Sequence, residues 1–230
     1  MAKRQPVSRR SRTSVSDAPE DLFVEKTLVM SSWARENRQA LTLGGIGLAV
    51  LLAGGLYYAN YRGNHLEQAA VELERTRQNV MVGDTAAATV ELSQYLESFG
   101  NTPYAAEASL LLGELYLGQG RADDAAEALA DVADPKDPVG VQAVVLMARA
   151  REQQGDLGQA EQLYLDVADG AELDFQRYEA LADAARIRQV QGNAAGAAEL
   201  YQRILDDIEE DAPLRPVYEM RLAEAQAQAS

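Results

Sequence analysis

The stretch AEASLLLGELYLGQGRADDAAEALADV, residues 106–132, contains two apolar segments separated by a glycine. The positions that define the stretch are Leu112, Gly113, Tyr116, Gly120, Ala125, Leu129 and Val132. Gly120 can adopt the left-handed backbone conformation that ends one helix before the next begins. A small residue such as Ala125 fits where the two helices of a hairpin touch most closely. The stretch therefore predicts a helical hairpin.

The hairpin pattern occurs four times along the chain. Its glycines are Gly83, Gly120, Gly155 and Gly192, spaced 37, 35 and 37 residues apart. Five residues after each glycine stands an alanine, at Ala88, Ala125, Ala160 and Ala197. A repeated period of this length is typical of a helical solenoid. We predict a capping helix at 214–228 and, before it, helix pairs at 64–82 with 84–98, 104–119 with 121–133, 139–154 with 156–168, and 175–191 with 193–209.

The repeat resembles the tetratricopeptide repeat, whose first helix carries a leucine, a small residue and a tyrosine at fixed offsets. Leu112, Gly113 and Tyr116 match those offsets, whereas the next two units have Arg151 and Arg188 where the tyrosine belongs. The resemblance implies a domain that binds other proteins.

A segment long enough to cross a membrane precedes the repeats. The 23 residues between Arg38 and Arg62 include no charged side chain. As a helix, 40–61 spans about 33 Å, against a hydrocarbon core of about 30 Å. Tyr57 and Trp33 mark the two ends, where amphipathic rings prefer the lipid headgroups. The alternatives are a buried core helix and a cleaved signal peptide. We predict an all-α chain: an N-terminal transmembrane helix, then a tetratricopeptide-repeat-like solenoid of about four helix pairs plus a capping helix.

Charge divides the chain at this segment. Residues 1–38 hold eight basic and five acidic side chains, whereas the remainder holds 13 basic and 31 acidic ones. Because basic flanks stay in the cytoplasm, we predict a cytoplasmic tail at 1–39, a span at 40–61 and a periplasmic domain at 62–230. An acidic domain repels phosphate backbones, which argues against nucleic acid as a partner.

The residue inventory excludes several kinds of chemistry. The chain has no cysteine, and His65 is its only histidine. A Ser-His-Asp triad and a histidine or thiolate metal site therefore cannot be assembled in the repeats. We predict a protein that is not an enzyme and that has no cofactor, no metal and no small-molecule substrate.

Two segments give a more specific resemblance. Residues 25–41, which include the run WARENRQAL, lead into the glycine-rich span, and residues 102–110, TPYAAEASL, lead into the best repeat. Their order around one span is similar to the bacterial inner-membrane family typified by YfgM, the ancillary subunit of the Sec translocon. This resemblance implies a single-pass inner-membrane protein that hands exported proteins to periplasmic chaperones. A cell-envelope or cell-division adaptor with the same repeat domain is the alternative.

The resemblance to tetratricopeptide arrays also implies a binding groove, because the first helix of each pair lines the concave face there. The groove residues that we predict on this basis are Leu73, Arg77, Leu110, Glu114, Leu117, Val145, Arg149, Ala182 and Arg186. We expect internal, apolar-containing segments as ligands. Leu110 and Val145 are as well explained by packing between neighbouring helices. Packing between helices does not explain Arg149 and Arg186 as well. Changing both to glutamate is expected to leave the stability of the fold nearly unchanged.

Overall fold

The computed structural model describes Trp33 and residues 36–230, and within these residues the regular structure is helical, with no strand. The predicted all-α fold is confirmed. Its helices are α1 (Arg38–Val82), α2 (Thr85–Phe99), α3 (Ala105–Gly118), α4 (Ala122–Leu129), α5 (Pro138–Gln153), α6 (Leu157–Gly170), α7 (Asp174–Val190), α8 (Ala194–Asp207) and α9 (Arg215–Ala229). Most of the predicted basic tail, residues 1–39, lies outside the described residues.

The chain forms two compact units, Met1–Gly63 and Asn64–Ser230. The part of α1 in the first unit is long and apolar enough to span a membrane, and none of its most apolar 18-residue window is buried. Leu43, Leu51 and Leu56 are all at least 70% exposed. The core helix of a soluble protein would bury such side chains, so the structure does not support that alternative.

The observed helices differ from the predicted ones by more than two residues in two places. The structure has one uninterrupted helix, α1, over the residues for which we predicted separate helices at 40–61 and 64–82. The helix predicted at 121–133 ends at Leu129 and continues only as a 3-10 turn, Ala130–Val132. Pro135 follows shortly after, and the residue before a proline disfavours the helical conformation.

The second unit is built from hairpins with a common hinge. Gly83, Gly120, Gly155 and Gly192 have φ values of +92°, +73°, +77° and +79°, and among the described residues no others have a positive φ. At three hinges a side chain then accepts a hydrogen bond from a backbone N–H in the first turn of the next helix. Asp84 accepts from the Ala87 N–H at 3.1 Å, Asp156 accepts from the Gln159 N–H at 3.1 Å, and Asn193 accepts from the Gly196 N–H at 2.9 Å. The predicted hinge is confirmed in all four units.

The core lies along the seams between helices. Ala88, Ala125, Ala160 and Ala197 are each 0% exposed, as their predicted position at the closest helix approach requires. One turn or more further along the second helices, larger side chains fill the space between pairs. The largest fully buried ones are Leu92, Leu129, Tyr164 and Ile204. Each seam thus combines a small residue at the crossing with a large one beside it.

The hinge conformation leads to a paired stability prediction. Gly155→Ala should lower the free energy of unfolding by about 1 kcal/mol, because a side chain at positive φ is strained. Gly158, on α6, has ordinary helical geometry, and an added Cβ there meets only Asp156 Oδ1 at 3.9 Å. Gly158→Ala should therefore raise stability by about 0.5 kcal/mol, since alanine is the better helix former. Urea unfolding of the full chain in detergent, followed by circular dichroism, measures both. Equal shifts of the same sign would contradict the hinge assignment.

Candidate protein-binding groove

A cavity of about 580 Å³ lies between α3, α5, α7 and α9, and we call it the groove cavity. Four predicted groove residues line it: Glu114, Val145, Arg149 and Ala182. The lining also includes Gln142, Phe175, Glu179, Asp183 and Tyr218. Three of its four helices are the first members of consecutive pairs, so the stacking of the pairs produces a continuous face.

The other predicted groove residues lie elsewhere. Leu73 is 2% exposed and packs with Ala69 and Tyr95, so its side chain is out of reach of a ligand. Leu110 and Leu117 are half-buried and pack against the cluster around Leu129. These leucines pack between helices.

Arg186 belongs to a polar cluster that connects three helices. Its Nη1 and Nη2 donate to the two carboxylate oxygens of Glu152 at 2.7 and 2.8 Å, and Asp183 is a further ion-pair partner at 3.2 Å. The Tyr164 hydroxyl donates to Glu152 Oε1 at 2.7 Å. Glu152 lies on α5, Tyr164 on α6 and Arg186 on α7, so this cluster holds the third pair against the fourth. A two-pronged guanidinium–carboxylate contact of this kind fixes geometry as well as adding energy.

The cluster sets the charge of its members. Burial on its own raises the pKa of Glu152, but the hydrogen bonds from Arg186 and Tyr164 outweigh it, and the pKa lies below its ordinary value. Burial, followed by the hydrogen bond to Glu152, raises the pKa of Tyr164. At neutral pH the cluster therefore contains an ionised carboxylate, a guanidinium and a neutral phenol.

Arg149 is different from Arg186. It is exposed and has no hydrogen bond or ion pair within the part of the chain that the structure describes, and its charge acts through space to lower the pKa of Glu152. Its guanidinium is available to a ligand in the groove cavity.

The comparisons with known proteins agree with this architecture. The sequence model of the tetratricopeptide repeat-like domain matches residues 31–227. The chain belongs to the tetratricopeptide repeat-like domain family. Domains of this kind are scaffolds for protein–protein interaction. A comparison with curated proteins gives no match.

Solved structures share the tetratricopeptide repeat-like fold. One contains nearly identical TPR-like repeats ascribed to a kinesin light chain of Podosopora anserina; it is 19% identical, with a TM-score of 0.55, over 70% of this chain and 87% of that one. The MamA protein is 17% identical, with a TM-score of 0.54, over 71% of this chain and 83% of its own. At these identities the likeness concerns the fold alone.

Two other arginines also connect helices within the tetratricopeptide repeat-like domain. Arg77, a predicted groove residue, forms an ion pair with Glu107 on α3 and thereby bridges the first and second pairs. Arg188, which occupies the place of the repeat's tyrosine, donates to Glu161 at 2.7 Å and to the Gly196 carbonyl at 3.0 Å. Arg188 therefore bonds to the second helix of the preceding pair and to the second helix of its own pair.

Sequence reasoning missed nine of the thirteen residues that line the groove cavity of this tetratricopeptide repeat-like domain, among them Phe175, Glu179 and Tyr218. Phe175 lies in the first turn of α7 and is 55% exposed. Tyr218 comes from the capping helix α9, which the repeat pattern does not include. The available signal was a phenylalanine at the start of the helix predicted at 175–191, followed one turn later by Glu179.

The polar cluster changes the stability expected for the two arginines. Arg186→Gln should lower the free energy of unfolding by about 1 kcal/mol, because Glu152 loses the charged one of its two partners, and solvent screening keeps the loss small. Arg149→Gln should change it by less than about 0.5 kcal/mol, as exposed substitutions usually do. Urea unfolding of both variants is the measurement. A destabilised Arg149 variant, or an unaffected Arg186 variant, would overturn this division of roles.

Proposed function

We propose that this chain is a membrane-tethered scaffold that binds other polypeptides in the groove of its repeat domain. The observation that carries the proposal is the groove cavity, lined by the first helices of three consecutive pairs and presenting the uncommitted Arg149. In repeat domains a concave face of this kind is an extended binding surface.

The tether is the first part of the proposal. The exposed apolar helix and the change of charge sign around it support a domain plan of tail 1–39, span 40–61 and repeat domain 62–230. Basic residues before the span favour a cytoplasmic N-terminus, with the repeat domain in the periplasm. The membrane would then be the bacterial inner membrane.

The setting is the second part. The likeness of residues 25–41 and 102–110 to the YfgM family supports a place beside the Sec translocon. There the repeat domain would hold segments of newly exported proteins and pass them to periplasmic chaperones. A tether of this kind raises the local concentration of a weak binder near the exit site.

The topology is tested with reporter fusions at Ser230. An export-dependent reporter such as alkaline phosphatase should be active there, and a cytoplasm-dependent reporter should be inactive, because the acidic repeat domain is expected to cross the membrane. The same reporters fused before Arg38 serve as the control and should give the reverse result. Activity of only the cytoplasmic reporter at Ser230 would place the domain inside the cell and remove the proposed setting.

The setting is tested by photo-crosslinking in intact membranes. A photoreactive residue replaces Gln142, which is exposed in the groove cavity; its matched control replaces Gln159, which is exposed on α6 outside that cavity. Translocon subunits and periplasmic chaperones should be captured from position 142 and not from position 159. Capture of wall-synthesis or division proteins alone would favour an envelope adaptor instead. Equal capture from both positions would show that the groove is not the binding surface.

A further inference from the structure

A second cavity adjoins the groove cavity at the C-terminal end of the domain. It measures about 440 Å³, and its walls include Ile208 and Leu214; we call it the end cavity. Phe175, Glu179 and Tyr218 line both cavities. These three residues therefore form the border between the two, and a ligand that occupies both must cross them.

The charges along the two walls are unequal. Beside Arg149, the groove cavity has three carboxylates, those of Glu114, Glu179 and Asp183. The end cavity has four carboxylates and neither Lys nor Arg in its lining: Asp174, Glu179, Asp207 and Glu209.

Several of these carboxylates already have an ion-pair partner. Arg177 pairs with Asp174 and Asp207, both at 2.8 Å, and Arg186 pairs with Asp183 at 3.2 Å. Glu114, Glu179 and Glu209, by contrast, have no ion pair among the residues that the structure describes, and of these only Glu179 lines both cavities. On the border between the two cavities, the negative charge without an ion-pair partner is therefore the carboxylate of Glu179.

Apolar surface is exposed around this charge. Phe175 is 55% exposed and Leu214 is 53% exposed, and both contribute to the end cavity. Exposed apolar side chains rimmed by carboxylates are typical of an interaction surface rather than of a solvated helix face. The ring of Phe175, beside Glu179, also presents a face that attracts cations, whereas Tyr218 is buried.

We propose that the occupant of this border is an extended segment of a partner protein in which a lysine or arginine is flanked by large apolar side chains. The cation lies against Glu179 and the ring of Phe175, and an apolar neighbour enters the end cavity against Leu214. This proposal rests on the proposed function, since it names the ligand of the same groove. An acidic segment is disfavoured at this border, because its carboxylates would be repelled by Glu179 and would find no Lys or Arg in the lining of the end cavity.

The ligand chemistry is tested with short fluorescent peptides and the full chain in phosphatidylcholine nanodiscs, with empty nanodiscs as the blank. One peptide has arginines among leucines, a second has glutamates in place of the arginines, and a third has serines in place of the leucines. The first should bind, and the other two should bind at least about ten-fold more weakly, because each lacks one of the two matched interactions. Anisotropy titrations give the Kd values. Equal binding of the glutamate peptide would overturn the proposal.

The position of the site is tested with a matched pair of charge reversals. Glu179→Lys should weaken binding of the arginine–leucine peptide about ten-fold, since an attractive contact becomes a repulsive one. Glu127, exposed on α4 and outside the lining of both cavities, is the control, and Glu127→Lys should change the Kd by less than about two-fold. Phe175→Ser should weaken binding of the same peptide without loss of the circular-dichroism melt.

The outcomes separate this inference from the proposed function. If both lysine variants bind equally, or if no peptide binds to the wild-type chain, the inference is overturned. Crosslinking from position 142 would still report whether the groove captures a partner in membranes. Loss of that crosslink with intact peptide binding would instead contradict the proposed setting and leave the ligand chemistry standing.

Discussion

The close approach of paired helices at a buried alanine is the contact on which the rest of the repeat domain depends. Ala88, Ala125, Ala160 and Ala197 place only a methyl group between the two backbones at the crossing. The glycine five residues earlier turns the chain back so that this crossing can form. A hairpin of this size cannot bury its apolar stripe alone, so each pair must stack on the next. Stacking in register then places the first helices side by side, and that alignment produces the groove.

Polar side chains on the first helices serve two purposes that compete. Arg77 and Arg186 lie on the groove side in sequence, but each binds a carboxylate on the neighbouring pair and so stabilises the stack. If Arg186 turned away from Glu152 toward the groove, the half-buried carboxylate of Glu152 would keep the hydrogen bond from Tyr164 but lose its stronger donor. The groove is left with the charges that the stack does not use. Arg149 and Glu179 are such charges, and they give the face its capacity to select a ligand.

The periodic part of the structure was predictable from sequence, and the reasons are local. A glycine at positive φ and an alanine at a crossing recur at fixed spacing, so the hinges and the helix pairs followed directly. The groove was less predictable, because whether a residue faces the groove or a neighbouring helix depends on the rotation of each pair. Leu73 faces inward for this reason. Tyr218 could not be found by the repeat pattern, because it belongs to α9 and reaches the groove only through the packing of that helix at the end of the stack.

Close helix crossings also affect the thermodynamics of the fold. Of the 36 buried apolar residues of the described chain, 18 are alanines. Each alanine removes less apolar surface from water than a leucine or a phenylalanine does, so unfolding hydrates comparatively little apolar area per residue. Because the heat capacity of unfolding follows that area, it is expected to be low for a chain of this length. A low heat capacity flattens the curve of stability against temperature. The repeat domain should therefore keep a nearly constant, modest stability across a wide range of growth temperatures.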